Sequence, residues 1–233
     1  MNWKEFNPQN EINPQDKIGE FHNRLLEYFV ENIDKISTDT QKCFTIINDT
    51  INLLVPKAIE LLEINPDIKE RNLTYGACVS SIVKSGDNQN IFLNITDFSV
   101  LFQDIWKQIT AIVDKLTIDN IIETLSLLKE MDYKIIESDL SDFEKTILFQ
   151  TNSISRFSSA YWVAEKKDSN SSWIKISEER GGDFKQNSPP AWVYSDLKAA
   201  YIGAFFTANP LVALGGAAAS SALDAAIAYS RKK

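Results

Sequence analysis

His22 is the only histidine in the chain. Every serine–histidine–acid or cysteine–histidine relay would have to run through it. It follows Phe21 and precedes Asn23, in a stretch whose apolar residues recur every three to four positions. That setting suits a hydrogen-bonded packing histidine better than a general base. His22 and Asn23 therefore form a candidate polar site, and no catalytic residue is expected.

Metal chemistry finds no pattern either. There is no Glu-x-x-His pair for a di-iron site, no H-E-x-x-H, and no cysteine cluster. Cys43 and Cys78 are too far apart for a C-x-x-C motif and read as small apolar residues on helix faces. The acidic run Glu130, Asp132, Glu137, Asp139, Asp142 and Glu144 does not have EF-hand spacing and reads as a solvated helix junction. "ERGGDF" offers a loop with an arginine but no phosphate-binding signature, and a plain turn accounts for it. No cofactor and no metal are expected.

The net charge of −8 repels phosphate backbones and excludes nucleic acid as an electrostatic partner. The first residues, MNWKEFNPQNEINPQDK, contain no apolar run of the kind a Sec signal peptide requires. The expectation is a cytoplasmic protein, or one exported by a route without a Sec signal.

Local signals place six amphipathic helices before residue 167. Asn13-Pro14 offers an N-cap and first-turn proline ahead of Ile18, Phe21, Leu25 and Tyr28. Thr38-Asp39-Thr40-Gln41 opens a second helix, which Pro56 interrupts, and Asn65-Pro66 opens a third. A fourth runs from about Thr96 to Leu116 with Phe98, Leu101, Phe102, Ile105, Ile109, Ile112 and Leu116 inward. A fifth follows Thr117. Ser141-Asp142-Phe143-Glu144 is a capping box that starts a sixth, which reaches about Glu165.

Residues 167–192 are polar, with Gly181-Gly182 and Pro189-Pro190, and read as a long loop holding one short strand at "WIKIS". Arg156 and Arg180 have aromatics within sequence reach to stack on. Tyr161, Trp162, Trp173 and Trp192 gather around this loop, either pinning it to the helices or forming an interfacial belt.

Residues 199–223 carry no charge, a length sufficient to span a bilayer. Asn209-Pro210 divides them into two helical pieces. Tyr201, Phe205, Phe206, Pro210, Gly215 and Gly216, with the terminal Arg231, Lys232 and Lys233, are the residues expected at a membrane or an interface. Three placements compete: a hairpin buried in the core, reversible membrane insertion, and a constitutive anchor.

Gly19, His22 and Asn23, then Ser158, Tyr161 and Trp162, then Gly203, Gly215 and Gly216, resemble a loose group of uncharacterised helical bacterial proteins. Their elements are G-x-x-H-N, S-x-x-Y-W and a Gly/Ala-rich end. The tail is poorer in glycine than that group's end, and it is also similar to the small-residue C-terminal segments of bacteriocin-like proteins. The resemblance implies a helical bacterial protein and carries no established activity.

The expected fold is all-α: an up-and-down bundle of about six long helices with a small-residue C-terminal hairpin. Residues 1–166 form the bundle, 167–194 the aromatic loop and 195–233 the hairpin. The expected function is a non-enzymatic, bacteriocin-like or toxin-like protein whose hairpin meets a lipid membrane. The alternative is a soluble interaction or scaffold protein with a protein partner, its hairpin in the core or in a homo-oligomer interface.

Overall fold

Side chains that cap backbone amides mark where three of the described helices begin. The computed structural model describes residues 2–31 and 98–174, together with Pro189, Trp192, Val193, Asp196, Leu197, Ala200 and Ala217. The expected second and third helices, both cysteines, the "ERGGDF" turn and Arg180 lie outside the described residues.

A short 3-10 helix, Trp3–Phe6, starts under the Asn2 side chain, which accepts from Lys4 N at 3.0 Å. It stops at Asn7, whose φ of 51° is a left-handed conformation that asparagine tolerates. Helix α1, Asp16–Glu31, begins two residues after the expected Pro14. Asn13 first closes a turn, its Oδ1 accepting from Gln15 N at 2.8 Å and its carbonyl from Asp16 N at 3.1 Å.

Ser99 caps α2, Val100–Asp114, through Phe102 N at 3.1 Å. Phe102, Ile105, Trp106, Ile109 and Val113 are buried, and Phe98 stacks on Phe102 from just outside the helix. Leu101, expected inward, is 42% exposed because the buried stripe passes through its neighbour Phe102. Helix α3, Ile121–Glu137, buries Ile121, Leu125, Leu128, Met131 and Ile135, and Asp132 shares that buried face.

Helix α4, Asp142–Lys167, has 26 residues and so measures about 39 Å. The Ser141–Glu144 capping box is formed: Ser141 Oγ accepts from Glu144 N at 3.3 Å, and Glu144 accepts from Ser141 N at 3.2 Å. Glu144 also accepts from Ser99 N at 2.9 Å, so one carboxylate serves the starts of two helices. Partial burial pushes its carboxyl up, but the Ser99 and Ser141 donors outweigh this and hold it below the usual range. Ser141→Ala is expected to cost about 1 kcal/mol in thermal unfolding. Glu144→Ala costs more, because it uncaps α2 as well.

Every residue from 147 to 164 is buried, so α4 runs through the middle of the described core. It packs against α1 and α3 most extensively, and also against the 3-10 helix and α2. A helix buried all round is normally apolar. This one carries a row of hydroxyls that return to the backbone one turn earlier: Thr151 to Ile147 O, Ser155 to Thr151 O and Ser159 to Ser155 O, at 2.6–2.9 Å. Hydroxyls bonded in this way enter a core at little cost.

The described residues contain helices and no strand. "WIKIS" does not start as a strand: residues 172–174 are helical, with Ser171 Oγ accepting from Trp173 N at 3.2 Å. Trp173 and Ile174 are both buried, which alternation across a half-buried strand would not produce.

Candidate functional site

Three side-chain clusters, two polar and one aromatic, follow one another along α4. The first is centred on Arg156, which is fully buried. Its Nη2 donates to Asp16 Oδ1 at 2.7 Å and lies 3.1 Å from Asp132 Oδ2, while Nη1 donates to the Pro8 carbonyl. Asp132 is also fully buried. Its Oδ1 accepts from Asn13 Nδ2 at 2.8 Å and Asn152 Nδ2 at 2.7 Å, and its Oδ2 accepts from Asn10 Nδ2 at 2.8 Å. Asn10 N also donates to Asp16 Oδ2 at 3.2 Å. The N-terminal Asn-Pro segments are thus bound to α3 and α4 by charge-assisted bonds. Burial pushes the Asp132 and Asp16 carboxyls up, with Arg156 opposing it in both. Burial also pulls the Lys129 ammonium down, where it donates to Asn7 O at 2.8 Å.

This corrects the reading of the acidic run as one solvated junction. Glu130, Glu137, Asp139 and Asp142 are exposed and Glu144 caps helices, but Asp132 is the buried acceptor of the core. It also reassigns Arg156, which engages carboxylates rather than aromatic rings.

The second group joins α1 to α4. Gly19 N donates to Ser153 Oγ at 3.0 Å, and Ser153 Oγ donates to Asp16 O at 2.9 Å. Asn23 Nδ2 donates to Phe157 O at 2.8 Å, and its Oδ1 lies 3.1 Å from His22 Nδ1. His22 Nε2 stands 3.3 Å from Asp196 Oδ2. The same oxygen accepts from Ser158 Oγ at 2.5 Å and from Trp162 Nε1 at 3.3 Å. His22, Asn23, Ser158 and Asp196 have no exposed surface.

Serine, histidine and aspartate therefore meet, but the wiring is not that of a nucleophile. Ser158 gives its hydrogen to the carboxylate, so the imidazole does not activate it. Among the described residues no group of three His, Cys, Asp or Glu side chains is placed to hold a metal ion.

The third group is aromatic. Trp162 has Tyr161, Trp173 and Trp192 around it, with ring centroids at 5.2, 5.3 and 4.8 Å. Trp173 Nε1 donates to Tyr161 Oη at 2.8 Å. Burial, and then the charge of Glu165, hold the Tyr161 phenol well above its ordinary value. Burial likewise pushes Glu165 up, although Ser171 Oγ donates to it. The aromatics expected around the loop thus sit in the core.

Asp16, Asp132 and Glu165 all hold their protons more tightly folded than unfolded, so ionising them weakens the fold. Their contribution is fully present below the ordinary carboxylate range and is lost as pH rises through the raised values. Glu165→Gln is expected to melt at least as high as the parent at neutral pH. The difference should close near about pH 4, where the unfolded carboxyl is itself protonated. A variant that melts lower at neutral pH would refute this.

Sequence reasoning singled out Gly19, His22, Asn23, Ser158, Tyr161 and Trp162, and the structure gathers them where α1 meets α4. It missed Asp196 and Asn152, and missed the pairing of Asp16, Asp132 and Arg156. The one available signal was a helix with polar residues at every turn and no charged face from residue 147 to residue 164. Gly203 and the remaining candidates (Tyr201, Phe205, Phe206, Pro210, Gly215, Gly216, Arg231, Lys232 and Lys233) lie outside the described residues.

The described residues are helical, and they surround a central helix whose residues 147–164 are buried and carry polar side chains at every turn. A scan against protein-family models and searches of curated proteins and of solved structures returned no match. Among the described residues no helix is long and apolar enough to cross a membrane.

Proposed function

We propose that this is a non-enzymatic helical interaction protein, an up-and-down bundle that carries its C-terminal apolar segment folded into its own core. The observation behind this reading is that Trp192, Val193, Asp196, Leu197, Ala200 and Ala217 are all buried in the same core as α1 and α4. The polar clusters support it, since their bonds are internal and they present no reacting group to a substrate. The exposed Ile122, Tyr133 and Ile136, on one side of α3, favour contact with another protein surface.

A second reading is the bacteriocin-like or toxin-like protein, which stores the same segment and presents it to a membrane. The uncharged residues 199–223 and the basic Arg231, Lys232 and Lys233 favour it.

Flotation of the full chain with anionic and with neutral liposomes, at neutral and mildly acidic pH, separates the two. Flotation with leakage of entrapped dye would establish the membrane reading. A chain that stays with the soluble fraction, melts cooperatively and changes its sedimentation with a partner or with itself would establish the interaction reading.

A further inference from the structure

Among the described residues Asp196 brings a carboxylate into the polar core, and that carboxylate meets a ring whose proton count the geometry dictates. Asn23 donates from Nδ2 to the Phe157 carbonyl, so its Oδ1 faces His22 Nδ1. An oxygen that only accepts requires a hydrogen on Nδ1. Nε2 is then left facing Asp196 Oδ2 at 3.3 Å. A favourable contact across that gap needs one further proton, held by the imidazole or by the carboxyl.

If that proton is lost, a nitrogen lone pair faces a carboxylate where neither group reaches water. If a second proton is added, the carboxyl is neutral and the ring charge has no counterion. The approach is an ion-pair contact rather than an aligned hydrogen bond, and Asp196 Oδ1 has no hydrogen-bond partner among the described residues. Among the described residues the contacts to the carboxylate, from Ser158, Trp162 and His22, all fall on Oδ2.

Tyr161 on α4 feels the charges of Glu165, of Glu27 on α1 and of Asp196. Glu27 accepts from Trp3 Nε1 at 2.6 Å, and Glu165 accepts from Ser171. Tyr161 shares its hydrogen-bonding oxygen with Trp173. Lys166 Nζ lies 5.3 Å over the Trp192 ring, beside the docked segment. Each of these has a partner of its own, and among the described residues His22 is the titratable group in contact with Asp196.

We infer that His22 and Asp196 form a proton-gated latch, which holds Trp192, Val193 and Asp196 against α1 and α4 while the pair shares one proton and loosens them otherwise. The latch rests on the docked segment of the proposed function and adds the control of that docking.

Amide hydrogen exchange of the full chain, without lipid, tests it from about pH 5 to about pH 9 after correction for intrinsic exchange. Protection of peptides covering residues 192–200 is expected to fall about tenfold toward the alkaline end, while α3 keeps its protection. His22→Gln should loosen those peptides at every pH. His22→Gln combined with Asp196→Asn should restore their protection and abolish its pH dependence, since two neutral amides can pair. Parent peptides 192–200 that track α3 at every pH would overturn the latch, as would a double variant no better protected than His22→Gln. The pH series on the unaltered chain decides the matter even if a variant does not fold. Because no lipid is present, failure of the latch is distinct from failure of either functional reading in flotation.

Discussion

Arg156→Met is expected to lower the unfolding free energy by about 3–5 kcal/mol, the usual cost of removing one partner from a buried ion cluster. For a domain of ordinary stability that is at least about a fifth of the total. The substitution keeps an unbranched apolar stem but leaves the carboxylates of Asp16 and Asp132 without their cation, and the Pro8 carbonyl without its donor. The three asparagine amides still reach Asp132. They are dipoles, however, and do not neutralise it.

Two further results belong to the same mechanism. Arg156→Lys should recover only part of the loss, because one ammonium cannot address Asp16, Asp132 and the Pro8 carbonyl as a planar fork does. The deficit of Arg156→Met should also shrink toward about pH 4, where protonation relieves the uncompensated carboxylate pair. Urea unfolding with linear extrapolation measures all three. A loss below about 1 kcal/mol for Arg156→Met would mean that solvent reaches this cluster and that the buried geometry is wrong.

Gly19→Ala should destabilise by about 3 kcal/mol, at the upper end of what overpacking a core costs. The sign is the informative part. At an ordinary helix position, alanine in place of glycine stabilises by about 1 kcal/mol. Here an added Cβ would lie 2.6 Å from both the backbone oxygen and the Oγ of Ser153, and closer still to Cδ2 of Phe157. The Phe157 ring is packed against Trp3, and a backbone atom of the central helix cannot rotate away. Helix α1 must move, which breaks the Gly19–Ser153 and Asn23–Phe157 bonds that seat His22. Thermal melting and tryptophan fluorescence should both shift. A variant that melts higher than the parent would show that α1 does not approach α4 this closely.

What could be read from the chain by itself was whatever depends on near neighbours. The Ser141–Glu144 capping box is set by residues three apart, and it forms as written. The inward stripes of α1 and α3 follow from apolar spacing, because burial of a helix face needs no knowledge of what covers it. The all-helical class follows from the same periodicity. His22, Asn23, Ser158 and Trp162 stood out by residue type alone.

Only the tertiary structure decided which polar residues are inside. Asp132 looked like one acid among six because its partners Asn10 and Asn13 are 122 and 119 positions away in the chain. Arg156 has the same problem with Asp16, 140 positions away, and Asp196 with Ser158, 38 away. A charge is worth burying only where specific donors or counterions meet it, and those are supplied by elements remote in sequence. Periodicity reports that a helix face is covered. It does not report that the cover is a carboxylate, and in this protein the carboxylates join the termini of the described core to its centre.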